Sequence, residues 1–249
     1  IRTLMSIAIT DGEFLGESWG PVLQCISQLA RMRMAASGLD SDESFLNDAS
    51  QVTPSKQPFT KSYFSSQSRV DISKETEELN ARAILESFSD QLIDQVFSST
   101  VKLSAHSLAD CIRQLVAVSA SEVEGESRRG IAGVKSSTTG SSHGGEEGPS
   151  IFCLQRLVEV ADYNMDVRPR LVWTQVWEIL AEYFAKVGCH RNQMVSVFAI
   201  HSLKQLSAKF LEKPELSEFN FQRSFLRPFL LIMENPDTRQ DIRELILEC

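Results

Sequence analysis

The chain has 249 residues, 42% hydrophobic and 23% charged, and its 25 basic and 33 acidic side chains leave a formal net charge of −8. That length can bury a core without disulfides or metals, and the acidic balance excludes a general nucleic-acid binder, which needs a basic excess to displace phosphate counterions. No apolar run approaches the ~20 residues that span a bilayer, and Ile1-Arg2-Thr3-Leu4 lacks the layout of a signal peptide, so an integral membrane protein is excluded as well.

Apolar residues recur at helical spacing from the start. Trp19, Val22, Ile26 and Leu29 form the first stripe, with Ser18 as a candidate N-cap, Pro21 in the first turn and Gly38 as a candidate stop. Residues 37–75 carry ten serines with Pro54 and Pro58 and no sustained period, so a disordered loop is expected there. Leu85, Phe88, Leu92 and Val96 make the next stripe, and Leu108, Ile112 and Leu115 another, entered through Ser104. Residues 122–149 include Ser136-Ser137-Thr138-Thr139-Gly140-Ser141-Ser142-His143-Gly144-Gly145. Such a tract cannot offset its ordering entropy by burying apolar area, and a second disordered loop is expected.

Leu154, Leu157, Val158 and Ala161 follow, then Trp173, Trp177, Leu180 and Phe184, a helix expected to end at Gly188 in a left-handed cap. Val195, Ala199, Leu203, Leu206 and Phe210 form one further stripe. A last pair, Phe225 to Met233 and Ile242 to Leu247, is separated by the breaker Asn235-Pro236-Asp237. Strand-like alternation is nowhere sustained, so the fold class is all-α. Short connections after residue 150 suggest antiparallel hairpins stacked as an irregular HEAT- or armadillo-like solenoid, with a compact bundle as the alternative. The whole chain, 1–249, is read as one helical-repeat domain and as a fragment of a larger protein.

Chemistry-bearing constellations are absent. There is no Gly-x-x-x-x-Gly-Lys-Ser/Thr, no His-Glu-x-x-His, no Cys-x-x-Cys and no Gly-x-Ser-x-Gly. Cys25, Cys111, Cys153, Cys189 and Cys249 are scattered and read as reduced residues of a cytosolic protein. Cys189-His190 is the one tempting adjacency, but neighbouring side chains point apart. No catalytic residue, metal or cofactor is therefore assigned. Trp173 and Trp177, one turn apart, read as hairpin core, whereas Phe219, Phe221, Phe225 and Phe229 are too close-set for one helix face to shield. Residues 1–149 carry a net −7 and residues 150–249 only −1, which points to the second half as the side for an acidic partner or anionic surface.

Leu154-Gln155-Arg156-Leu157-Val158-Glu159-Val160-Ala161-Asp162-Tyr163-Asn164-Met165 resembles the "lekLVEiayYNM" segment of the large, brefeldin-sensitive Golgi guanine-nucleotide exchange factors for ADP-ribosylation-factor (Arf) GTPases. The resemblance extends to Trp173-Thr174-Gln175-Val176-Trp177-Glu178-Ile179, to residues 202–213 and 221–229, and to Thr10-Asp11-Gly12-Glu13-Phe14-Leu15-Gly16-Glu17-Ser18-Trp19. These motifs match the first homology region downstream of the catalytic exchange domain. The exchange domain's own Phe-Arg-Leu-Pro-Gly-Glu run is absent, so the resemblance implies a fragment that does not exchange nucleotide. It implies instead a regulatory helical-repeat domain that helps bring its parent from the cytoplasm to trans-Golgi membranes as a peripheral protein. The implied partners are GTP-bound Arf, the membrane surface and the catalytic domain of the same chain, with homodimer formation by the parent a further expectation.

Some positions depart from the family. Relatives read Asn-Met-x-Arg-Ile-Arg-Leu where this chain has Asn164-Met165-Asp166-Val167-Arg168-Pro169-Arg170-Leu171. A contact face is expected where basic side chains adjoin helix ends, at Asn164, Arg168, Arg170, Lys186, Lys204 and Lys209, with charge reversal at Arg168 and Arg170 expected to spare stability. The alternative is a structural spacer or dimerisation module that binds neither GTPase nor membrane.

Overall fold

The computed structural model describes residues 1–36, 90–124, 149–212 and 221–249. The expected loop at 37–75, Gly38, Leu85, Phe88, Phe219 and most of the expected loop at 122–149 lie outside the described residues. The described residues form helices α1 (Arg2–Thr10), α2 (Trp19–Ala36), α3 (Asp90–Ser98), α4 (Ala105–Val123), α5 (Phe152–Met165), α6 (Arg170–Gly188), α7 (Gln193–Leu211), α8 (Phe221–Glu234) and α9 (Gln240–Leu247), with short 3₁₀ turns and no strand. The all-α reading holds.

Helix starts follow the local chemistry. Ser104 caps α4, its hydroxyl accepting the Ser107 N–H at 3.3 Å, and Asn192 caps α7, accepting from Met194 and Val195 at 2.9 and 3.3 Å. Ser18 does not act as a detached cap. It closes the 3₁₀ turn Gly16–Ser18, which runs straight into α2.

Each helix packs on the next but one: α1 on α3, α3 on α5, α5 on α7 and α7 on α9 make one set, and α2 on α4, α4 on α6 and α6 on α8 make the other. Chain neighbours α1–α2 and α4–α5 through α8–α9 pack across the two sets. Two layers result, with the stripes read from the sequence turned into the seam: Trp19, Leu108, Ile112, Leu115, Leu154, Leu157, Leu180, Phe184, Ala199 and Leu203 are all fully buried. Trp173 and Trp177 are core, as expected, and Phe225 is sandwiched between Trp177 and Phe210 at ring-centroid distances of 3.7 and 3.9 Å.

Two sequence expectations are corrected here. Helix α6 ends at Gly188, as expected, but the capping residue Cys189 has φ −96°, not a left-handed conformation. The glycine is required by contact: a Cβ there would lie 2.4 Å from Cδ1 of the buried Ile232. The loop placed from residue 122 also starts too early, because α4 continues to Val123 and Glu122 is buried. Its carboxylate accepts the Ser27 hydroxyl at 2.5 Å and the Cys153 N–H at 2.8 Å, and its carbonyl accepts the Ser150 N–H. One acidic side chain thus ties α2 and α4 to the N-terminus of α5, where unpaired N–H groups favour a negative charge.

Candidate docking surface

Helices α1, α3, α5 and α7 all end at one edge of the molecule, and the turns there are bonded to one another. At the α1–α2 turn, Glu13 accepts the Ser104 N–H on its carboxylate at 2.7 Å and the Ser107 hydroxyl on its carbonyl at 2.8 Å. Ser104 holds the Glu13 carboxyl below the usual range. At the α5–α6 turn, Arg168 donates to the carbonyls of Thr100 and Val101, both at 3.0 Å, and to Asn164 Oδ1 at 3.0 Å. Asn164 donates in turn to Thr100 Oγ1 and to the Val160 carbonyl. At the next interval, Lys209 near the end of α7 pairs with Asp162 at 2.7 Å and Asp166 at 3.0 Å. Burial works against the Lys209 ammonium, but its two carboxylate partners hold it above the ordinary lysine value.

On this tied edge stand large apolar side chains facing solvent: Phe14 is 86% exposed, Leu171 76% and Val167 60%. Phe14 is held out by its backbone. Gly16 takes φ +48°, a left-handed conformation that L side chains rarely adopt, and Gly12 lies so close to Trp19 that a Cβ would come within 2.9 Å of the indole. The indole N–H donates to the Gly12 carbonyl at 3.2 Å. An exposed aromatic side chain on the same edge as two exposed aliphatic ones has the character of an interface anchor.

The six basic or polar positions singled out from the sequence do not converge. Asn164 is fully buried and cannot contact a partner. Arg168 is half-buried with two of its nitrogens committed to the fold, its pKa lowered by burial against the opposing pull of Glu13. Arg170 is half-buried at the start of α6 and stays on the exposed edge beside Leu171. Lys186 lies at the opposite end of α6, paired with Glu124 at 2.9 Å, beside an open groove of about 490 Å³ that His190, Arg191, Leu231 and Asn235 also line. Lys204 donates to the Glu248 carbonyl, and Lys209 is spent on its aspartates. The exposed residues missed by the sequence reading, Phe14 and Leu171, carried one usable signal: apolar side chains outside the periodic stripes.

Cys189 and His190 form no dyad, since the thiol meets Thr238 and the imidazole Nδ1 accepts the Asn192 N–H. All five cysteines are free, and burial pushes the Cys111 and Cys153 thiols well up, away from the reactive thiolate. Among the described residues no group of three or more His, Cys, Asp or Glu side chains could hold a metal, and no helix is long and apolar enough to cross a membrane.

A family model described as Mon2/Sec7/BIG1-like, HDS matches residues 209–249. The chain is 34% identical over its whole length to brefeldin A-inhibited guanine nucleotide-exchange protein 1 of Bos taurus and 33% identical to the ADP-ribosylation factor guanine nucleotide-exchange factor sec71 of Schizosaccharomyces pombe. It is 28% identical to brefeldin A-inhibited guanine nucleotide-exchange protein 2 of Arabidopsis thaliana. It spans 13% of the length of the first two relatives and 14% of the third.

Proposed function

Because this chain belongs to a homology region of the large Arf guanine-nucleotide exchange factors, we propose that it is a non-catalytic regulatory part of such a factor. It docks GTP-bound Arf, helps recruit its parent to trans-Golgi membranes as a peripheral protein, and adjusts the catalytic domain in vesicle trafficking. The observation that supports docking is the bonded edge that displays Phe14, Val167 and Leu171. The turns that carry them are hydrogen-bonded to one another before any contact, so little backbone entropy is lost on binding, which is what a small interface needs.

Liposome flotation tests the reading. The purified chain is mixed with trans-Golgi-like vesicles carrying membrane-anchored Arf loaded with GTP or with GDP. Recruitment with GTP alone, abolished by Phe14→Asp with Leu171→Asp at unchanged melting temperature, is the expected result. Recruitment by lipid alone makes the chain a lipid-binding module. No recruitment in any arm, with no change in nucleotide exchange when the chain is added to the catalytic domain, overturns the reading in favour of a spacer.

A further inference from the structure

Helices α6 and α8 run parallel, since Trp177 meets Ser224 and Phe225 while Gly188 meets Ile232. Where they end, they leave an open groove of about 490 Å³, with Ala185, Cys189, His190 and Arg191 on one side and Leu231 and Asn235 on the other. Lys186 lines it too, but its ammonium is paired with Glu124. Part of the wall is apolar: Ala185 is buried, Leu231 is 42% exposed, and the half-buried Cys189 meets Thr238.

The polar groups around the groove divide by what they already bond. His190 Nδ1 accepts the Asn192 N–H at 3.1 Å, so the neutral imidazole carries its proton on Nε2. Asn235 Oδ1 accepts the Asp237 N–H at 3.0 Å, which leaves the two hydrogens of the amide nitrogen. The carbonyls of Lys186, His190, Leu231 and Asn235 accept from Cys189, Ser196, Asn235 and Thr238 in turn. Arg191 is exposed, and among the described residues it has no carboxylate partner. The side-chain capacity left over is therefore donating: His190 Nε2–H, the Asn235 amide and the Arg191 guanidinium. No Asp or Glu side chain lines the groove.

Three donors, one of them charged, call for an anionic acceptor, and the apolar wall calls for an aliphatic group beside it. A bare inorganic anion leaves Leu231 and Ala185 unused. A membrane surface is broad and flat, and cannot enter a concave groove whose His190 and Asn235 are half-buried. A peptide in which an aliphatic side chain adjoins a carboxylate supplies both.

We propose that this groove binds an extended acidic segment of a partner protein. An aspartate or glutamate side chain accepts from Arg191, His190 and Asn235, and the neighbouring aliphatic side chain lies against Leu231 and Ala185. The site is at the opposite end of α6 from Leu171, uses neither Phe14 nor the Lys186–Glu124 pair, and stands whether or not the GTPase reading does.

Fluorescence anisotropy on the 249-residue chain is the test. The probe is a fluorescein-labelled peptide, Gly-Ser-Glu-Leu-Glu-Leu-Gly, which offers leucine on either side of a carboxylate, and its counterpart carries Gln for both Glu. Saturable binding of the acidic peptide below about 1 mM is expected. The Gln peptide, and separately Arg191→Glu, should each weaken it about tenfold or more, and Leu231→Ser about fivefold. Both substitutions are at exposed positions and should leave the melting temperature unchanged. Phe14→Asp should bind the peptide as the parent does. No binding up to about 1 mM overturns the proposal. Equal binding of the two peptides overturns it as well, as does affinity indifferent to Arg191→Glu and Leu231→Ser.

Discussion

Trp177 donates its indole N–H to the Ser224 carbonyl, 3.3 Å away. Ser224 stands four residues before Pro228, which lies inside α8. A proline has no N–H, so the carbonyl four residues earlier loses its helical partner. The tryptophan of the neighbouring helix takes that place. Trp177→Phe should keep the stack on Phe225 and strand the carbonyl, costing ~0.5–1.5 kcal/mol because Ser224 retains access to water. In a Pro228→Ala background, where residue 228 regains its N–H, the same substitution should cost measurably less. A double-mutant cycle by urea denaturation reads the coupling, and strict additivity would refute it.

Asn164 and Arg168 act in the fold. Asn164→Ala removes a fully buried amide that bridges Val160, Thr100 and Arg168, and should cost ~2–4 kcal/mol. Arg168→Glu should also lower the melting temperature, because it removes the guanidinium that holds the Thr100 and Val101 carbonyls. Comparison of the two melting curves with that of the parent checks the assignment.

Glu122 is buried and accepts from Ser27 and Cys153. Replacement by Ala leaves a buried hydroxyl and a helix-terminal N–H unpaired, with an expected loss of ~3 kcal/mol, and Glu122→Gln should fall between that variant and the parent. Hydrogen exchange should show the N-terminal turn of α5 losing protection first.

Gly188→Ala drives a methyl group into Ile232, a side chain with no solvent to retreat into. A destabilisation of ~1–3 kcal/mol is expected, partly relieved by Ile232→Val, which removes the clashing Cδ1. Chemical denaturation of both variants measures the relief.

His190 and His201 both have pKa values below the ordinary 6.5, chiefly because burial disfavours the imidazolium. The unfolded chain therefore binds protons more readily than the folded one once pH falls below about 6.5. Stability present above that pH should decline on acidification toward the folded-state values. Melting temperatures at pH 7.5 and pH 5.5 should differ less in a His190→Gln, His201→Gln double variant than in the parent.

Burial in the core was legible at most stripe positions, because helical packing repeats every three or four positions and the stripes at Leu108, Leu154, Trp173 and Val195 expose that period directly, although Val158 and Leu92 are only half-buried. The docking surface was less so. Phe14 is apolar, and nothing in its local pattern says that Gly16 and the Trp19–Gly12 contact hold it away from the core. Asn164 and Arg168 looked like partner contacts because polar residues at a helix end are ordinarily solvated. Their partners, Thr100 and Val101, lie more than sixty residues earlier in the chain, and no local signal reports a contact at that distance.

By itself the sequence determined that the chain is helical, that its helices bury one stripe each, and which family segments it resembles. These depend on composition, periodicity and the identity of short runs, all of which are properties of the chain before it folds. Only the tertiary structure decided which polar groups are spent on holding the turns together and which donors remain free in the groove where α6 and α8 end. A polar side chain's role is set by who stands opposite it in space, and that neighbour comes from the packing of distant helices.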